Sequence, residues 1–502
     1  MNRYLPLIAL LLAGCAVGPD YERPKIETPA NITTLPDAPE LRGPEVDLDW
    51  WRRFDDPLLN ELVAAAIREN RDVRAASARI EQARALRAIA AGAGLPNLSG
   101  DAGFTRSKQS ENAFPIGALG GGQDMGGGGA GGGGQQAQTF GIGEPISIWQ
   151  LSLGASWEPD LFGRVGRRVE AADARLGVAA EDRNAIWLTV LADTVQNYAE
   201  LRTAQAQAAV ARENIEIAAR TRELTELLVE QELAPEFDLV RARADERAAR
   251  ADLQPFEIQI RANNAALAEL TAQFPMELFS RVTAEIDTIA FEGGISAGVP
   301  SELLRRRPDV RRAERRLAAE TADIGAEIAD LYPSFSLTGM FGFSAMALDM
   351  LFDSGSEQWS IGGALNWPMF SGGRSRSEVD EARAGAEEAR ALYEGAIYGA
   401  FADADRALSN YALSQRQLND LRGVVADRQR AFDLAELRYR SGLDSLLTLL
   451  ETQRQLLAAR QAFTAAEGRA KVAIVGAYRA LGGGWQVTPE SDAAVPGSAE
   501  PT

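Results

Sequence analysis

Leu151-Ser152-Leu153-Gly154-Ala155-Ser156-Trp157 sets an apolar side chain at every odd position and a small or polar residue at every even one. A period of two is the mark of a strand with one apolar and one polar face, because successive side chains leave opposite sides of the backbone. Three further stretches keep the pattern. Trp359, Ile361, Leu365 and Trp367 alternate with Ser360, Gly362 and Asn366. Phe335, Leu337, Phe341 and Phe343 face away from Ser336, Thr338 and Ser344, and Leu98, Ala102 and Phe104 oppose Ser99, Asp101 and Thr105. A soluble sheet packed on a core alternates in the same way. Two details favour a membrane barrel: the segments are near the ~9–11 residues of a tilted barrel strand, and Trp157, Trp359 and Trp367 stand near segment ends, where aromatic girdles lie. Four strands are too few to close a barrel, since small filled ones need about eight. Open edges are not tolerated in lipid, so several chains must share one barrel.

Around these strands the chain repeats itself. Asp72-Val73-Arg74 opens a segment closing at Pro96, and Asp309-Val310-Arg311 opens one closing at Pro333; the offsets agree, 309 − 72 = 237 and 333 − 96 = 237. After the strands, Trp157 leads to Gly163-Arg164 as Trp367 leads to Gly373-Arg374, now offset by 367 − 157 = 210. The difference, 237 − 210 = 27, measures an insertion in the first half. The glycine-rich run from Gly117 to Gly134 accounts for it and reads as an external loop of low complexity. Each repeat runs helix, strand, strand, helical hairpin. No proline interrupts Arg167 to Glu232, which at ~1.5 Å per residue would approach ~100 Å if unbroken. A turn at Pro235 precedes a return helix over Phe237 to Ala272; the second repeat answers with Ser377 to Tyr439, a turn at Ser441-Gly442 and a return from Ser445 to Leu481. Alanine at many core-type positions allows close helix packing.

Composition narrows the function. With 71 acidic and 52 basic residues the formal net charge is −19, which disfavours nucleic acid as a partner. The one basic concentration, Arg305-Arg306-Arg307 with Arg311, Arg312, Arg315 and Arg316, reads as a solvated helix face. Histidine is absent and cysteine occurs once, at Cys15, removing the usual general base, disulfides and ordinary His/Cys metal sites. No phosphate loop or serine-nucleophile motif is present, so neither an enzyme nor a cofactor is expected. Arg3, the apolar Leu5 to Leu12 and Leu12-Ala13-Gly14-Cys15 make a cleaved address with the cysteine right after the cleavage site. This resembles a bacterial lipoprotein box, which implies covalent lipid on Cys15. Ala16, in place of the aspartate that retains lipoproteins at the inner membrane, favours the outer one.

The chain divides into a signal peptide (1–14), a lipidated N-terminal tether (15–49), first-repeat helices (50–97), a first strand pair with its glycine-rich loop (98–163) and a first long hairpin (164–274). An equatorial linker (275–307), a second-repeat helix (308–334), a second strand pair (335–372), a second hairpin (373–482) and a disordered tail (483–502) follow.

Several blocks resemble one family. They are Cys15-Ala16-Val17-Gly18-Pro19-Asp20-Tyr21 with Pro24; Trp50-Trp51 through Asp56-Pro57-Leu58; Gly298 to Val310 with Ala313-Glu314; Trp157 to Arg164; and Leu481-Gly482-Gly483-Gly484-Trp485. The resemblance is to TolC-like outer-membrane factors, in the lipoprotein branch serving resistance-nodulation-division (RND) pumps. It implies an α+β membrane protein, internally duplicated: a trimeric transmembrane β-barrel with four strands per protomer, continued by a long periplasmic α-helical barrel. It also implies a passive exit duct that partners with a periplasmic adaptor, an inner-membrane RND pump and outer-membrane lipid. In such ducts a ring of carboxylates narrows the periplasmic tip. The matching motif is Gly442-Leu443-Asp444-Ser445-Leu446-Leu447-Thr448-Leu449-Leu450-Glu451. Some relatives carry acids at the positions of both Thr448 and Glu451; here only Glu451 remains, with Asp444 the next candidate, unless it caps the return helix. Glu451 as a plain solvated charge is the alternative. The first-repeat counterpart, 451 − 208 = 243, is Arg243. Three copies of Glu451 would repel and raise their apparent pKa. Without histidine and with few methionines, no soft-ligand station for copper or silver is visible, which favours organic cargo. The other readings are a TolC-like duct for type I protein secretion, which generally lacks the lipoprotein start, and a structural lipoprotein without a pore.

Overall fold

The computed structural model describes residues 16–35, 46–108, 145–284, 291, 293–296, 298, 300–441 and 443–486. The signal segment, Cys15, the loop 117–134 and everything beyond 486 lie outside these described residues. The chain forms two units. One holds residues 88–169 and 322–382 with the chain up to Pro19; the other holds 20–87, 170–321 and 383 onward.

In the first unit Asn97–Ser107 (β1), Ile146–Trp157 (β2), Ser334–Ala345 (β3) and Glu357–Asn366 (β4) make one antiparallel sheet in the order β1-β2-β3-β4. The register keeps like with like. Leu98 lies opposite Ala155 and Phe104 opposite Trp149. Leu151 pairs with Phe343 and Leu153 with Phe341, and Phe341 and Phe335 pair onward with Trp359 and Leu365. All these side chains share one face, and Leu98, Leu153, Trp359, Ile361 and Leu365 on it are more than half exposed. A soluble monomer rarely leaves so continuous an apolar face in water. At the sheet's end Trp157 donates its indole N–H to the Gly94 carbonyl at 3.0 Å, and Trp367 donates to the Leu331 carbonyl at 3.2 Å. Donors and acceptors here repeat with the two sequence offsets, 367 − 157 = 210 and 331 − 94 = 237.

The helices are Pro57–Glu69 (α1), Arg71–Gly92 (α2), Arg164–Glu230 (α3), Glu236–Leu270 (α4), Pro275–Ala284 (α5), Pro300–Arg306 (α6), Pro308–Ala329 (α7), Arg374–Arg440 (α8) and Leu446–Ala480 (α9). The duplication extends to their lengths: α2 and α7 have 22 residues, α3 and α8 have 67, α4 and α9 have 35. In the second unit Asp56 caps α1, accepting from the Leu58 and Leu59 N–H groups at 2.8 and 3.2 Å, with Pro57 filling the first turn. The other oxygen of Asp56 accepts from the Tyr198 hydroxyl of α3 at 2.5 Å, so the cap also locates the long helix. Trp50 stacks on Tyr478, ring centroids 4.9 Å apart, within a core that includes Phe54, Leu59, Leu191 and Leu267. Ala199, Ala204, Ala466, Ala470 and Ala473 are buried. Between α3 and α9 the approach is so close that a Cβ on Gly468 would lie 2.4 Å from Thr203.

Two expectations are corrected. The arginine cluster is a solvated face only in part: Arg305, Arg312, Arg315 and Arg316 are exposed, but Arg307 is not. Arg307 is buried, donating to the carbonyls of Ala480 (3.1 Å) and Ala400 (3.5 Å) and pairing with Asp309 (2.7 Å) and Asp403 (3.3 Å). Ala480 ends α9, where carbonyls have no partner in the helix, so the guanidinium satisfies what the helix leaves open. Nor does the tail begin at 483. Gly483 and Gly484 are buried, and Trp485 donates to the Arg306 carbonyl at 2.8 Å with the Arg311 guanidinium 5.3 Å from its ring centroid. Burial of the indole holds these residues in place.

Candidate functional site at the hairpin turn

The turn from α8 to α9 brings Asp444, Ser445, Thr448 and Glu451 within two helical turns. The cap of α9 is Ser445, whose hydroxyl accepts from the Thr448 N–H at 3.3 Å. Asp444 is therefore not the capping residue. It sits one position earlier, where it accepts from the Ser445 N–H at 3.0 Å and from Arg438 of α8 at 3.2 Å. Hydrogen bonding from Thr448 and the Ser445 N–H, with the Arg438 charge, holds its carboxyl below the ordinary range. Asp444 thus ties the two helices of the hairpin across their turn.

Glu451 is exposed on α9. Its carboxylate accepts from the Gln455 amide at 3.0 Å and pairs with Arg454. These two partners, Gln455 first, hold its pKa below the ordinary glutamate value. The side chain borders a groove of about 460 Å³ between α3, α4 and α9. Across the groove α4 presents Asp238, Asp245 and Asp252, with Arg241 among them. Their spacing of seven residues keeps them on one stripe of the helix. Sequence reasoning missed these three. The seven-residue spacing was the available signal, but it belongs equally to a solvated helix stripe until α9 is seen beside it. Arg243, the first-repeat counterpart of Glu451, is instead spent on an ion pair with Glu226 at 2.8 Å that joins α4 to α3. The groove's four carboxylates, Asp238, Asp245, Asp252 and Glu451, outnumber its two arginines, Arg241 and Arg454. Among the described residues no cluster of potential metal ligands is present.

A second locus lies beside Cys15, which itself falls outside the described residues. Its neighbours are held firmly. Val17 donates its N–H to the Phe162 carbonyl at 3.3 Å, and the buried Arg167 donates to the carbonyls of Val17 (3.2 Å) and Gly18 (3.3 Å). Gly18 has φ +94°, and a Cβ there would lie 2.5 Å from the Gly325 Cα; one on Gly163 (φ +81°) would lie 2.8 Å from the Ala16 Cα. Only glycine at both places lets the tether lie this close.

Similarity to known proteins runs along most of this chain. The outer membrane efflux protein model matches residues 62–273 and 299–483. The chain belongs to the outer membrane efflux protein family. It is 32% identical over 485 residues to outer membrane protein OprJ of Pseudomonas aeruginosa, covering 95% of each. With the toluene efflux pump outer membrane protein TtgF of Pseudomonas putida it shares 30% over 494 residues, 96% of this chain and 97% of the relative. The solved outer-membrane channel OprN superposes with a TM-score of 0.81 at 34% identity, covering 94% of this chain and 100% of that one. This family member is accordingly an outer-membrane efflux channel. Four strands per chain serve a trimeric transmembrane barrel and the long helices a periplasmic helical body.

Proposed function

We propose that this chain is the lipidated, passive exit duct of a tripartite RND-type efflux pump, handing small organic solutes from a periplasmic adaptor and an inner-membrane pump to the exterior. The observation that carries the duct is the sheet: one face apolar and exposed, the other polar, and both edge strands, β1 and β4, without a partner among the described residues. Three copies joined edge to edge satisfy those edges and enclose the polar face. Cys15 bears the lipid in this reading, and the grip of Arg167 on Val17 and Gly18 sets where the anchor leaves the protein. Glu451 narrows the periplasmic tip as a carboxylate ring, with Asp444 a hairpin tie. The duct catalyses no reaction and uses no cofactor. An organic cargo is supported by the lack of histidine and by the toluene named for one relative. Purified protein in planar bilayers should open discrete conductances, and a deletion strain should become sensitive to hydrophobic antibiotics or solvents. Absence of single-channel steps would favour the pore-less lipoprotein.

A further inference from the structure

The polar face of the sheet carries one ionisable side chain. The register assigns to that face Asn97, Ser99, Asp101, Gly103, Thr105 and Ser107 of β1, opposite the even-numbered residues of β2. From β2 the same face continues through Ser336 to Ser344 of β3 and Gln358 to Asn366 of β4, again even positions only. Among all of these only Asp101 is charged; the rest are serine, threonine, glycine, asparagine, glutamine, alanine, methionine and isoleucine. Arg106 and Glu357 fall on the opposite, apolar face near strand ends, where long or charged side chains reach the interface. Asp101 is exposed, pairs in register with Ser152, and has the Ser99 hydroxyl 3.5 Å away. The β4 side chains that a neighbouring copy would bring to this edge, Gln358 to Asn366, include no cation on the polar face.

We infer that Asp101 sets the electrostatic selectivity of the barrel lumen, as three carboxylates at one height, separate from any ring at the helical tip. The inference rests on the trimeric barrel reading. Asp101 stands four residues inside the helix-side end of β1, about 13 Å along the strand and about 10 Å along the axis of a barrel with strands tilted about 40°. Twelve strands about 4.8 Å apart and tilted about 40° enclose a radius of about 12 Å, placing the three carboxylates about 15–20 Å apart. That exceeds the Debye length of about 10 Å at 0.1 M salt but lies inside the about 30 Å found at 0.01 M. The three charges therefore act together at low ionic strength and separately at high. A narrow tip ring behaves differently, because its charges stay within one Debye length at ordinary salt.

The test reads the potential beside Asp101 directly, independent of how the tip conducts. In the full-length trimer in proteoliposomes, S99C offers a thiol on the polar face next to Asp101, and L98C one on the apolar face. Cationic and anionic water-soluble methanethiosulfonates are added from the external side. In S99C at 10 mM salt the cationic reagent should react faster than the anionic one, and D101N should reduce that rate ratio about three- to tenfold. At 1 M salt the two backgrounds should differ by less than about twofold. An unchanged ratio in S99C/D101N at 10 mM salt overturns the role of Asp101 while leaving the barrel intact. Labelling of L98C but not S99C overturns the barrel assignment itself. D101E should restore the ratio, which a merely structural effect of D101N would not predict.

Discussion

At the scale of single residues the proposed tip ring depends on Glu451 and its neighbours. Arg454 and Gln455 hold its carboxylate charged to lower pH than an isolated glutamate, whereas repulsion among three copies acts the other way. A carboxyl with a depressed pKa keeps its charge above that value and loses it as pH falls through it. The Glu451-dependent part of cation selectivity, wild type minus E451Q, should therefore survive down to about pH 4.3, the ordinary glutamate value, and fade below it. Bilayer reversal potentials between pH 7 and about pH 3 measure this; fading already near pH 6 would mean that three-fold repulsion outweighs the local partners. E451Q should also weaken block by trivalent cations from the periplasmic side, and E451K should move selectivity toward anions. Neither should alter assembly, because an exposed carboxylate contributes little to folding. The motif after the turn singles out Glu451 as the proposed ring residue. It did not separate Asp444 from Ser445 as the cap, since both residue types cap helices and only backbone geometry at the first turn decides.

Between elements the fold depends on a few contacts that long-range packing alone reveals. Arg307 joins the α6–α7 boundary to the Ala400 carbonyl in the middle of α8 and to the carbonyl end of α9, and it draws the Asp309 carboxyl below its usual range although burial pushes that group up. R307M leaves the Ala480 carbonyl without its donor, while Asp309 and Asp403 are exposed enough to rehydrate. The expected loss is about 1–3 kcal/mol, read as a lower urea midpoint for the helical circular-dichroism signal. The Asp309 share of that stability is present above the unfolded carboxylate pKa of about 3.9 and disappears as pH falls through the lower folded value. A second contact is steric. G468L should force α3 from α9 against Thr203 and cost about 1–3 kcal/mol, with T203A or T203S in the same chain recovering part of it. Full stability of G468L would mean the helices are not in contact there. Strands and long helices were legible because period two and proline-free runs are local signals. Arg307 looked like surface charge because a run of arginines says nothing about the helix ends it will meet across 173 residues of chain. The same holds for Trp485, whose partner Arg306 lies 179 residues back.

For the whole molecule the decisive physical fact is that the sheet has two incomplete edges and one apolar face. No helix among the described residues is long and apolar enough to cross a membrane; the spanning elements of the trimeric barrel are the strands. A lipid on Cys15, as proposed, and the strands would offer two independent attachments. A closed barrel is inserted effectively permanently, with or without a lipid beside it. Replacing residues 1–14 with a nonlipid export signal and Cys15 with serine should therefore leave the protein in the outer membrane, resistant to carbonate extraction and migrating as a trimer by native mass spectrometry. R167A in that background should loosen the chain at Val17 and Gly18, detected as faster proteolysis of the N-terminus, without releasing the trimer. A nonlipid protein found soluble in the periplasm would assign anchoring to the lipid and leave the apolar face of β1–β4 for burial in another protein. A membrane-bound monomer would break the argument at a different point, since a lone four-stranded sheet has no way to satisfy its edges in lipid.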